Sequence, residues 1–189
     1  MEVFKQKINS TSILVFDLDG TLVNSDHANF LSYKEAIWQI LRLDLNSLYD
    51  PSERFTRKML KTIIPTLNSN DYEKIIDLKN NLYEKYLHHT TQNDFIIEML
   101  RKYSKTNKTI LLTNSHQERA IKILEYHELM DFFDYKFYKE TKGAEINKFH
   151  YVLTYLKISP ESVIIFENEE IEVDMAMLSG IPSENIIHI

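Results

Sequence analysis

The chain has 189 residues, 43% hydrophobic and 26% charged, with a formal net charge of −6. This is a globular balance, long enough for one core-bearing domain with a sizeable insertion. The acidic charge excludes bulk attraction to nucleic acid or anionic membrane, and the lack of cysteine excludes disulfides, thiolate catalysis and cysteine-bound zinc.

Chain order begins with Met1 to Ser12, which carries Lys5 and Lys7. The apolar run behind it, Ile13 to Phe16, is too short for a signal-peptide core, and no stretch reaches membrane-span length. Cytoplasmic residence is therefore expected. Only three glycines exist, Gly20, Gly143 and Gly180, so neither glycine-rich nucleotide cradle can be built.

Ser12 to Phe16 reads as a buried strand that stops at the polar turn Asp17-Leu18-Asp19-Gly20. Similar runs are Thr109 to Thr113, Ser162 to Phe166 and Asn185 to Ile189, with Phe132 to Phe137 a weaker one. Their continuous hydrophobicity suits strands covered on both faces, as in a parallel sheet. Helical patterns lie between them at His116 to Tyr126, Phe149 to Leu156 and Glu170 to Leu178. This alternation predicts an α/β fold, a Rossmann-like parallel sheet.

Residues 23–90 read differently, because Phe30, Tyr33, Ile37 and Leu41, then Phe55, Met59, Leu60 and Ile63, then Tyr72, Ile75, Ile76 and Leu82 recur at helical spacing. They predict an inserted all-helical domain of four helices capping the carboxyl edge of the sheet, with residues 1–22 and 91–189 forming the α/β core. Pro51 sits where one helix would start and Pro65 where it would close.

Asp17 and Asp19 stand two apart at the end of the first strand, the edge where open α/β sheets bind ligands. A carboxylate can attack phosphorus and divide a hard hydrolysis into two displacements. A second carboxyl can protonate the leaving oxygen and then activate water. An isolated Asp-x-Asp is more often a turn or helix cap, but the longer string Phe16 to Leu22 is more specific.

That string, Asp17-Leu18-Asp19-Gly20-Thr21-Leu22, resembles the first motif of the haloacid dehalogenase (HAD) superfamily of hydrolases. Val23 to Ala36 resembles the start of the helical cap in the phosphoglycolate phosphatase and β-phosphoglucomutase branch. The resemblance implies Asp17 as nucleophile and Asp19 as general acid/base. Thr113, ending the second core strand, falls on the family's second motif, so its hydroxyl and the Asn114 N–H would bind the phosphoryl group. The third motif is a lysine balancing negative charge, for which Lys148 and Lys142 compete; Lys148 is preferred because it opens the helix at Phe149.

The segment Ser162 to Asp174, running on to Gly180, Ile181 and Pro182, resembles the branch's fourth, acidic motif. Glu167 and Asn168 then fall on metal-holding positions beside Asp17 and Asp19, and Mg²⁺ is the implied cofactor. Asn168 departs from the family's usual acid and brings no charge; Glu172 is a candidate outer-shell acceptor that could compensate. The implied activity is Mg²⁺-dependent hydrolysis of a small phosphorylated metabolite through an aspartyl phosphate. A sugar-phosphate mutase using the same intermediate, or a weakened phosphate-binding protein, are the alternatives. His88 and His89 are adjacent and read as an exposed helix end; His116 reads as a helix-surface position that could also line the pocket.

Overall fold

A computed structural model describes residues 8–47, 54–139 and 147–189; Pro51, Lys142 and Gly143 lie outside the described residues. The chain divides into two compact units, residues 1–23 with 92–189, and residues 24–91.

The first unit is a five-stranded sheet in which all neighbours run parallel. Its strands are β1 (Ile13–Phe16), β4 (Thr109–Leu112), β5 (Tyr135–Phe137), β6 (Val163–Glu167) and β7 (Ile186–His188). The spatial order is β5-β4-β1-β6-β7, so β1 is central. Every residue of β4 and β6 is buried, which is why these strands read as unbroken apolar runs. Helices α4 (Asp94–Tyr103), α5 (Gln117–Tyr126), α6 (Lys148–Leu156) and α7 (Glu170–Leu178) connect the strands. One core cluster joins Val15, Ile110, Leu112 and Ile165 of the sheet to Phe149 and Val152 of α6.

Two details differ from the sequence expectation. Only Tyr135–Phe137 of the weaker run is strand, because Met130–Phe132 closes into a 3₁₀ turn whose Phe132 carbonyl accepts the Thr109 hydroxyl. Helix α4 is the second difference, an element absent from the sequence expectation. It buries Ile96, Ile97, Met99, Leu100 and Tyr103, and its N-cap Asn93 accepts the Ile96 N–H.

The second unit is helical: α1 (Asp26–Leu41), α2 (Met59–Ile63) and α3 (Ser69–Leu82), with 3₁₀ segments Leu45–Ser47 and Tyr83–His89. Two short strands, β2 (Val23–Asn24) and β3 (Thr91–Gln92), pair with each other. Phe30, Tyr33, Ile37, Leu60 and Ile75 form the helical unit's core. Among the described residues there are three α-helices here rather than four, and the one before Pro65 is a single short turn. The reason lies at Phe55. Its carbonyl accepts the Asn29 side-chain amide at 2.8 Å, and its ring packs on Phe30 and Tyr33, which holds the backbone before Met59 outside the helix. Among the described residues no helix is long and apolar enough to cross a membrane.

Candidate active site

Strand register brings the predicted residues together. Phe16 is level with Phe166 of β6 and with Leu111 of β4. Asp17 therefore leaves β1 beside Glu167, and its N–H donates to the Phe166 carbonyl at 3.1 Å. Thr113 directly follows β4 on the other side, with its N–H on the Phe137 carbonyl and its Oγ1 accepting the Ser115 N–H, both at 3.0 Å.

Beyond Asp17 the chain coils on itself. The Gly20 N–H bonds to the Val23 carbonyl at 2.9 Å, and Gly20 takes φ +89°, where a side chain would be strained. A Cβ built there would lie 2.3 Å from Asn168 Nδ2, so the close approach of this turn to the β6 loop also requires glycine. The Thr21 hydroxyl donates to Asn168 Oδ1 at 3.1 Å and ties the two loops together.

Lys148 stands at the start of α6, where the Asn147 side chain caps the Phe149 and His150 N–H groups. Its buried ammonium lies 2.7 Å from Glu167 Oε2, 3.4 Å from Asp17 Oδ1 and 3.4 Å from Glu172 Oε2. Glu167 Oε1 accepts the Asn168 and Glu169 N–H groups at 3.0 and 3.1 Å. Glu172 Oε1 accepts the Asn114 side-chain amide at 2.8 Å, so Glu172 links the β4 loop to Lys148. The competing Lys142 falls in the undescribed segment.

Asp19 has a separate set of partners that sequence reasoning missed. Its Oδ2 accepts from the Ser115 hydroxyl and from the Arg119 guanidinium. Arg119 also donates to Ser115 Oγ at 2.6 Å. Nothing in the spacing marks Arg119; only the docking of α5 carries it to Asp19. His116 stands at the N-terminus of α5 with its Nε2 3.4 Å from Lys139 Nζ, while His88 and His89 are exposed in the helical unit.

The electrostatics follow from this arrangement. Burial pushes the Asp17 carboxyl up to about 8; Lys148 opposes that, and Glu167 and Asp19 add to it. For Lys148, burial favours the neutral amine, but Asp17, Glu167 and Glu172 outweigh it and raise the ammonium above its ordinary range. Four carboxylates (Asp17, Asp19, Glu167 and Glu172) thus face two cations, Lys148 and Arg119. Among the described residues, the acidic side chains of this cluster outnumber its cations.

Comparison with known proteins accords with these motifs. The family model of the haloacid dehalogenase-like hydrolases matches residues 14–186. The chain belongs to that family, and its class is the hydrolase expected from the sequence. No curated protein matches the sequence. Among solved structures, a predicted phosphoglycolate phosphatase from Haemophilus somnus superposes with a TM-score of 0.76 at 16% identity, over 92% of this chain and 84% of that one. A Thermotoga maritima protein assigned as a β-phosphoglucomutase gives 0.66 at 21%, over 94% and 86%. The magnesium-bound protein YfnB from Bacillus subtilis, assigned as a HAD hydrolase, gives 0.65 at 16%, over 90% and 86%. At these identities the likeness shows the fold.

Proposed function

We propose that the chain is a phosphatase that hydrolyses a small phosphorylated metabolite through an aspartyl phosphate on Asp17. The observation carrying this reading is the position of Asp17, at the carboxyl end of the central strand with the Lys148 ammonium 3.4 Å away. Asp19 stands two residues on, held by partners of its own.

In the first step an Asp17 carboxylate oxygen attacks phosphorus in line, and the bond from phosphorus to the leaving alcohol breaks. Asp19 gives its proton to the departing oxygen. In the second step Asp19 takes a proton from water, the water oxygen attacks phosphorus, and the Asp17–phosphorus bond breaks to release phosphate. Lys148 offsets charge on the phosphoryl oxygens, while the Thr113 hydroxyl and Asn114 N–H donate to them. We read the helical unit as the inserted cap domain that the family resemblance implies.

The donor set fits Mg²⁺, which takes oxygen ligands, keeps several waters and needs only one or two carboxylates besides substrate phosphate. Asp17, the Asp19 carbonyl, Glu167 and Asn168 would hold it. Among the described residues no group of three or more acidic, histidine or cysteine side chains forms a cage by itself, so amide, carbonyl and phosphate oxygens must contribute. The deficit of positive charge around Asp17 has the sign a dication would correct. When bound, the ion would neutralise the phosphoryl oxygens and hold Asp17 ionised.

The test is phosphate release from 4-nitrophenyl phosphate and from a panel of sugar phosphates, nucleotides and phosphoglycolate. Release should require Mg²⁺ and vanish in Asp17→Asn. A sugar bisphosphate with isomerised product, instead of free phosphate, would identify a mutase. A folded protein that turns over no ester in the panel would sink both readings.

A further inference from the structure

We propose that Arg119 and Ser115 form a bracket that positions Asp19 for proton transfer to the leaving group, making Arg119 a positioning residue of the reaction. This rests on the proposed acid/base role of Asp19.

The bracket is a closed ring of donors. The Arg119 guanidinium donates to Asp19 Oδ2 and, at 2.6 Å, to Ser115 Oγ, and Ser115 Oγ donates in turn to the same Asp19 oxygen. Asp19 is 5% exposed and Ser115 9%. A carboxylate turns through a broad, roughly two-fold torsion when nothing holds it. Two donors on one oxygen fix the plane of this one. A charge-assisted contact is stronger than a neutral one and gives the bracket direction as well as energy.

The neighbouring carboxylate is served quite differently. Asp17 faces Lys148 from α6, whereas Asp19 faces Arg119 from α5. Two carboxylates only two residues apart are therefore anchored by separate helices, and each can be disturbed without removing the other's cation. Burying an arginine against a carboxylate is weak evidence of stabilisation, because desolvation opposes the attraction. The bracket is better explained by geometry. Proton transfer requires the acid within hydrogen-bond reach of the departing oxygen.

Leaving-group dependence isolates this role. A nitrophenolate departs with little help, whereas a phenolate of higher pKa depends on protonation as its bond breaks. The kcat/KM for an ester reports the steps through aspartyl phosphate formation, where Asp19 acts as acid. Arg119→Ala should lose at least tenfold more kcat/KM on phenyl phosphate than on 4-nitrophenyl phosphate. Arg119→Lys, which keeps the charge, should recover part of that difference. Ser115→Ala, which removes one side of the bracket, should shift the ratio the same way by at least threefold, and it remains informative if Arg119→Ala fails to fold.

Equal losses on the two esters in the folded variants would overturn the proposal and make Arg119 a substrate-binding or structural group. Absence of Asp17-dependent turnover in the wild type would instead remove the phosphatase reading, and the bracket's role with it.

Discussion

Lys148 and Glu167 form a buried ion pair, with Nζ 2.7 Å from Oε2, and the other oxygen of that carboxylate accepts two backbone N–H groups. The lysine is thereby held between β6 and the start of α6, with its charge directed at Asp17. Glu167 anchors the cation as well as adding negative charge to the site.

Removing that cation should cost both stability and rate. Lys148→Met leaves Asp17, Glu167 and Glu172 close together without their shared ammonium, and breaking a buried pair from one side costs about 3–5 kcal/mol. The loss should be larger at pH 8 than at pH 5, since at pH 5 the Asp17 carboxyl is protonated and needs no cation. Denaturant unfolding at the two pH values measures this. The rate should fall by about 10²–10³, the range for losing one preorganised electrostatic group. Equal stability of wild type and variant at pH 8 would mean that the pair contributes nothing net.

Asp17 sets a pH dependence of opposite origin. Its folded pKa, about 8, lies above the unfolded value of 3.8, so between those values the folded state binds more protons than the unfolded one. Its contribution to stability is therefore full below the unfolded pKa and is lost as pH rises through 8. The melting temperature of protein stripped of divalent ions should decline from pH 5 to 8.5. Asp17→Asn removes this contribution, so the variant should melt higher than wild type at pH 8, by roughly 2–4 °C for each kcal/mol recovered. A variant melting below wild type at pH 8 would show that Asp17 is already ionised there without a metal.

Much of this was readable from residue order. The core strands were legible because burial on both faces leaves continuous apolar runs, and Asp17 because a polar pair abruptly ends one of them. Lys148 was a candidate because the family resemblance expects a lysine just before the helix that opens at Phe149, and the structure lays it 3.4 Å from Asp17. The helix before Pro65 is shorter than its apolar spacing implies because Phe55 has a helical spacing but serves a tertiary contact with Asn29. Helix α4 has a clear amphipathic pattern but no chemistry to draw notice. Arg119 depends on how α5 lies against the sheet, a relationship that no local pattern encodes.

Gly20 tests whether the turn after Asp19 is built for close approach. Its φ of +89° costs a side chain about 1–2 kcal/mol by conformation alone. An added Cβ, 2.3 Å from Asn168 Nδ2, must also displace that amide. Gly20→Ala should therefore weaken Mg²⁺ binding as well as lowering the melting temperature, because the proposed function gives that amide to the cation. A stability loss with Mg²⁺ affinity unchanged would separate Asn168 from the metal.

Asn168→Asp asks the complementary question, whether the missing charge limits the metal. An aspartate has nearly the same shape, and its carboxylate can still accept the Thr21 hydroxyl that now bonds Asn168 Oδ1 at 3.1 Å. It would add a carboxylate to a cluster already short of positive charge. Without divalent ions the variant should be less stable than wild type at pH 8, since one more half-buried anion then stands close to Glu167 and the turn of Asp19 with no added cation. With Mg²⁺ the order should reverse, because ligand binding stabilises in proportion to the logarithm of its affinity. Calorimetric titration at pH 8 should show Mg²⁺ binding at least tenfold tighter, about 1.4 kcal/mol. If affinity is unchanged while apo stability falls, position 168 lies outside the metal's reach and Asp17, the Asp19 carbonyl and Glu167 must carry the binding without it. If affinity rises but turnover does not, the asparagine limits cation capture and not the phosphoryl transfer.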